Sequence, residues 1–115
     1  MEHVNVAVVV GEIVTEPVER SLAGGERVIN CDLASVTVAG RAIVPIVLTD
    51  TDTQFALGDS VCVVGFMRKR FFQTSAGLQN RTELAVHKSA RVRQKAQVKK
   101  IVDSAVQDIR GAARG

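Results

Sequence analysis

Val4, Val6, Val8 and Val10 recur at every second residue, and Gly11 interrupts them before Ile13 and Val14 resume the run. A period of two sets alternate side chains on one face of a strand, and a glycine inside such a run marks the bend by which a strand turns a barrel corner. The chain therefore begins as a long bent strand. Glu16-Pro17 ends it, and Gly24-Gly25 supplies a hairpin turn. A second strand is predicted over residues 27–38, with Ile29, Cys31 and Leu33 on one face, and Ala39-Gly40-Arg41 turns into a third over 42–49. After a break at 50–54, Leu57-Gly58-Asp59 leads into a fourth strand, 61–70, which returns through 74–77 into a fifth, 79–92. Five long strands with tight turns predict an all-β fold, a small closed or nearly closed barrel. Pro45 cannot donate to a ladder, so the third strand must be open along one edge there or bulged.

The 115 residues suffice for one core and not for two, which excludes an enzyme with a separate cofactor domain. The apolar share of 46% comes mainly from valine, alanine and isoleucine, a β-branched excess that suits strands. No apolar run nears the roughly 20 residues that cross a bilayer, and Met1-Glu2-His3 does not open a signal peptide. The expectation is a soluble cytoplasmic protein with no membrane partner. Cys31 and Cys62 fit no zinc spacing and read as buried free thiols. From Gln94 the period becomes helical: Val98, Ile101, Val102, Ala105 and Ile109 form an apolar stripe, with Gly111 as its stop. The chain thus divides into a barrel, 1–93, and an amphipathic helix with a short basic end, 94–115. The stripe must cover the barrel or a neighbouring subunit, because so short a helix is marginal alone.

The net charge of +3 conceals a strong asymmetry. Residues 1–67 hold three cations (Arg20, Arg27, Arg41) against nine acids, whereas residues 68–100 hold ten cations against one acid, Glu83. A polyanion would sit on the second stretch. There Arg68-Lys69-Arg70 meets Phe71-Phe72, with Arg81 on the returning strand. A basic hairpin alone would be a solvated face that guards a sheet edge. Joined to rings it becomes a face for single-stranded nucleic acid, since cations attract phosphates and flat rings stack on unpaired bases.

Neighbouring strand residues point to opposite faces, so one of Phe71 and Phe72 reaches the groove. Phe72 is chosen because it shares parity with Arg68 and Arg70, and Phe71 goes to the barrel or an interface. Phe66 has the same parity and either extends the stacking stripe or packs in a core or interface. Phe55, beside Leu57, reads as a plug for the barrel end. Lys88, Arg91, Arg93, Lys95, Lys99 and Lys100 either extend the phosphate track or solubilise the strand end and helix. His87 reads as a surface strand residue, and Asp50 and Asp52 as turn formers.

The order of motifs resembles the bacterial single-stranded DNA-binding protein family over roughly the first ninety residues. The matching stretches are Asn5-Val6-Ala7-Val8-Val9-Val10-Gly11, then Val28-Ile29-Asn30-Cys31-Asp32-Leu33-Ala34, then Leu57-Gly58-Asp59-Ser60-Val61-Cys62-Val63-Val64-Gly65, followed by Arg68-Lys69-Arg70-Phe71-Phe72 and the Gly77 turn. The resemblance implies an OB-fold, a five-stranded Greek-key barrel, assembled as a homodimer or homotetramer that binds single strands without sequence preference. It also implies that Phe72 is the stacking ring and that Arg68 and Arg70 are the cations preceding it. The sequence departs from the family in three places. It has no tryptophan or tyrosine, and Ile43 and Thr49 stand about where the family places stacking rings. The helix between the third and fourth strands is shortened to little more than residues 50–56. The chain ends Arg110-Gly111-Ala112-Ala113-Arg114-Gly115 where the family's replicative members carry an acidic tail. A reduced or specialised relative is the expectation, such as a primosomal accessory subunit or a mobile-element copy.

The expected function is sequence-nonspecific binding of single-stranded DNA in replication, recombination or repair, in a cytoplasmic, nucleoid-associated protein that self-associates and meets replication or repair proteins. The candidate contacts are Arg68, Lys69, Arg70, Phe72, Arg81, Lys88, Arg41 and Phe66. The sequence offers no nucleophile and base pair, no phosphate loop and no metal-ligand cluster, so no catalytic residue, metal or cofactor is assigned and the chain is not expected to be an enzyme. The competing readings are an OB-fold protein-interaction or primosomal module and an RNA-binding OB domain, because stacking does not distinguish the two sugars.

Overall fold

The computed structural model describes residues 3–22, 24–50 and 53–114. Asp52, read above as a turn former, lies outside them, as do Met1, Glu2 and Gly115. Six strands and one helix follow in order: β1 (Ala7–Ile13), β2 (Val18–Ser21), β3 (Arg27–Thr37), β4 (Gly40–Leu48), β5 (Ser60–Thr74), β6 (Gly77–Arg91) and α1 (Lys95–Arg114). The strands run β1-β5-β6-β4-β3-β2 across the sheet, and β1 returns to pair with β3, closing five of them into a barrel with β2 added outside. All neighbours are antiparallel except β4 and β6, which run parallel over Ile46↔Leu84 to Leu48↔Val86. This is the predicted all-β OB-fold barrel with a C-terminal helix, plus one strand the sequence pattern did not reveal.

Closure depends on Gly11. Glu12 and Ile13 pair with Ala34 and Leu33, and Ser35 Oγ donates to the Val10 carbonyl at 2.8 Å. A Cβ at position 11 would fall 3.0 Å from the Ala34 carbonyl carbon and nearer still to its oxygen, so only glycine lets the seam shut. The first strand is shorter than its valines suggested, starting at Ala7, and it turns them outward: Val8 and Val10 are exposed while Ala7, Val9 and Ile13 meet the core.

Inside the barrel Ile13, Cys31, Leu33, Ile46, Leu48, Val61, Val63, Leu84 and Val86 pack together, with Phe55 against them as the expected plug. Outside, α1 lays Ile101 and Ala105, flanked by Val98 and Val102, on Cys62, Val64 and Ala90. The helix therefore covers its own barrel. It also runs through Gly111, the predicted stop, and buries Ala112 beyond it. Both cysteines are buried free thiols, one in each cluster. Burial, with the Asp32 charge adding to it, pushes the Cys31 thiol up to about 11, and burial raises Cys62. Among the described residues no helix is long and apolar enough to cross a membrane.

Pro45 pairs with Asp32 of β3, and β4 meets β6 only from Ile46 onward, so the edge of β4 facing β6 is open at the proline. The described residues between β4 and β5 form a turn at Leu57 and Gly58 and no helix. Beyond Met67 and Leu84, β5 and β6 leave the barrel as a two-stranded ribbon. That ribbon carries the basic and aromatic residues.

Candidate nucleic-acid interface

Register decides what the ribbon shows on each side. Opposite pairs Phe66↔Ala85, Arg68↔Glu83, Arg70↔Arg81 and Phe72↔Gln79 share one face, and Met67↔Leu84, Lys69↔Thr82 and Phe71↔Asn80 share the other. Arg68, Arg70, Phe72 and Phe66 thus share a face, as their parity predicts, and the register adds Arg81 from the returning strand. Lys69 is not: it lies on the reverse face with Phe71.

Glu83, the lone acid of the basic stretch, organises the cluster although sequence reasoning gave it no role. Its side chain is 0% exposed and faces Arg68 across the ladder. Arg68 donates from Nε and Nη2 to Oε2 at 3.1 and 3.0 Å, and Arg70 donates from Nε to Oε1 at 3.0 Å. A buried carboxylate needs this compensation, since an unpaired buried charge is costly. The Arg70 guanidinium also lies over the Phe72 ring, 5.6 Å from its centroid, within cation–π range. Arg81 reaches across the open edge beside Pro45 to Asp32 Oδ1 at 3.3 Å. Beneath the arginines Val28 and Val47 form an apolar floor, and Arg20 and Leu22 close a small hollow of about 40 Å³ from the β2 side. Arg20 was missed because β2 was missed; the one sequence signal for Glu83 is its isolation among cations, and its place opposite Arg68 comes only from the register.

Phe71 corrects one half of the sequence reading: it is not in the barrel but 61% exposed, because both faces of a two-stranded ribbon meet solvent, which leaves the interface alternative for that ring; Phe72 is 36% exposed. The remaining candidates lie apart from the cluster. Lys88 follows a bulge where His87 is extra in β6, and its Nζ bonds Ser104 of α1 beside a cleft of about 390 Å³. Arg41 borders a shallow hollow with Val10, Val36 and Val92. Arg91 stacks 5.1 Å from the Phe55 centroid and donates to the Gln54 carbonyl at 2.6 Å, so it fastens the loop before β5. Lys99 is paired with Asp103 on the helix surface. Among the described residues no group of three or more His, Cys, Asp or Glu side chains is placed to hold a metal.

Neither a protein-family model nor a curated protein matches the sequence. Solved structures match its fold. The Plasmodium falciparum SSB, solved in complex with single-stranded DNA, superposes with a TM-score of 0.61 at 21% identity, over 78% of this chain and 94% of that one. The yeast mitochondrial single-stranded DNA-binding protein Rim1 gives 0.59 at 17% identity, over 75% and 92%. These likenesses are to proteins that share the OB-fold barrel.

Proposed function

We propose that this chain binds single-stranded DNA without reading its bases, along the outer face of the β5–β6 ribbon. One observation carries the reading: Arg68, Arg70, Arg81 and Phe72 are gathered on one exposed face, cations beside a partly open ring. Both structural neighbours are named as single-stranded DNA-binding proteins, which supports the same ligand here. The barrel, 1–93, supplies the binding face and α1 braces it. Lys69, Lys88 and Arg41 join as peripheral phosphate contacts, and the process served is replication, recombination or repair, in a non-enzymatic, nucleoid-associated protein.

Competition between poly-dT, poly-U and duplex DNA tests the ligand. Poly-dT should win clearly over duplex, whose bases offer no free faces. Because Glu83 and Asp32 offset two of the three arginine charges, about one phosphate contact remains in the cluster and up to about four with the peripheral cations, and at about 0.7 per contact log affinity should fall with log salt by roughly 1 to 3. Equal binding of duplex at physiological salt would remove the stacking argument. A preference for poly-U would make this an RNA-binding domain, and an acidic protein that competes better than either would make it an interaction module.

Self-association belongs to the same reading. Val10, Val36, Val38 and Ile43 leave more aliphatic surface exposed than a lone barrel needs. Sedimentation at micromolar concentration should find a homodimer or homotetramer, and a stable monomer there would contradict it.

A further inference from the structure

We propose that Arg68, Arg70 and Glu83 form one preorganised seat for a single backbone phosphate, with Glu83 as its positioning residue; the inference rests on the single-strand reading above. The donors divide cleanly. Arg68 spends Nε and Nη2 on the carboxylate and keeps Nη1, while Arg70 spends only Nε and keeps both Nη atoms. A guanidinium is planar, so fixing one edge fixes the direction of the donors left over. Arg68 is fixed in this way along one edge, and Arg70 is held by its Nε bond and by the Phe72 ring under its plane. The two guanidiniums on one carboxylate carry a net charge of one cation, which matches one phosphodiester.

The carboxylate is held as firmly as the arginines. It is fully buried over the Val28 and Val47 floor, and both of its oxygens are in use. It cannot swing into solvent to yield its partners to a phosphate, which separates this arrangement from a counter-ion that nucleic acid must displace. Arg70 also touches the Phe72 ring, so the seat and the stacking ring are joined through one side chain. A phosphate seated there would place its adjoining base beside Phe72.

The test is a salt titration of poly-dT affinity for the intact protein, Glu83→Gln and Arg68→Lys. Glu83→Gln removes the negative charge and loosens the forks. Its salt slope should steepen by up to about 0.7, one phosphate contact, while affinity at high salt falls about tenfold, the effect of one charge-assisted hydrogen bond. Arg68→Lys keeps the charge and loses the planar edge, so it should lower high-salt affinity at unchanged slope, and it stands in if Glu83→Gln does not fold. Tighter binding by Glu83→Gln at every salt concentration would make the acid a competitor and overturn the seat. An unchanged slope and affinity with only a lower melting temperature would make it a structural clamp and overturn it equally. If Glu83→Gln is unfolded, full high-salt affinity in Arg68→Lys overturns it. Failure of the intact protein to bind poly-dT removes the single-strand reading and the seat with it, whereas intact binding combined with any of those patterns removes the seat alone.

Discussion

Gly65→Ala should cost about 3 kcal/mol or more of stability, lowering the melting temperature by roughly 10 °C or more, or prevent folding altogether. Gly65 stands at the step where β6 carries His87 as an extra residue, so the two strands change register there. A Cβ at this position would lie 2.7 Å from the Ala85 carbonyl carbon, closer still to its oxygen, and 3.0 Å from Leu84 Cδ2. The obstruction is backbone and a fully buried leucine, neither of which can move without disturbing the barrel core. Flexible side-chain ends yield cheaply; a carbonyl held in a ladder does not. Gly111→Ala makes the control, because its Cβ would meet nothing and alanine suits a helix interior better by about 0.5 to 1 kcal/mol. Thermal or urea unfolding of both variants is the measurement, and a loss under about 1 kcal/mol for Gly65→Ala would mean the strands do not approach as described.

What could be read from the sequence follows from the range of the interactions involved. Alternation is local, so the five barrel strands emerge from it, and the Ile29, Cys31 and Leu33 face lies inward as expected. β2 has no such signal: Val18–Ser21 is exposed at all four positions, and it exists because β3 offers it an edge from Arg27 to Asn30. Gly111 is a legible helix stop only where nothing downstream is buried, and Ala112 is buried. Parity along β5 found the face that unites Arg68, Arg70 and Phe72, since a strand conserves it even through the bulge in its neighbour. It did not separate barrel from surface for Phe71, because parity gives a direction and not a depth. The inward direction holds a core at Val63 and open solvent at Phe71, where the ribbon has left the barrel. The isolation of Glu83 among cations was legible but its partners were not, as the pairing depends on cross-strand register rather than on spacing along the chain.

Phe72→Ala should weaken binding to single-stranded DNA by about tenfold or more while leaving the salt slope nearly unchanged, since stacking of a base on a ring contributes about 1 to 3 kcal/mol and neutralises no phosphate. Arg70 lies over the same ring, so truncation removes a support for the guanidinium as well as a base platform, and the loss should fall in the upper part of that range. Folding should be spared: the ring belongs to a ribbon outside both core clusters, so the melting temperature should move by no more than a few degrees. Phe71→Ala is the matched comparison, being the same change one residue away, on the reverse face and even more exposed. It too should fold normally, and its affinity for a short oligonucleotide should stay within about twofold of the parent, since Arg68, Arg70 and Arg81 gather beside Phe72 whereas Lys69 is the one cation on the Phe71 face of the ribbon. Fluorescence anisotropy with short dT oligomers at two salt concentrations resolves both effects. Loss of binding in a folded Phe71→Ala protein, with Phe72→Ala binding normally, would put the strand on the Lys69 face of the ribbon instead.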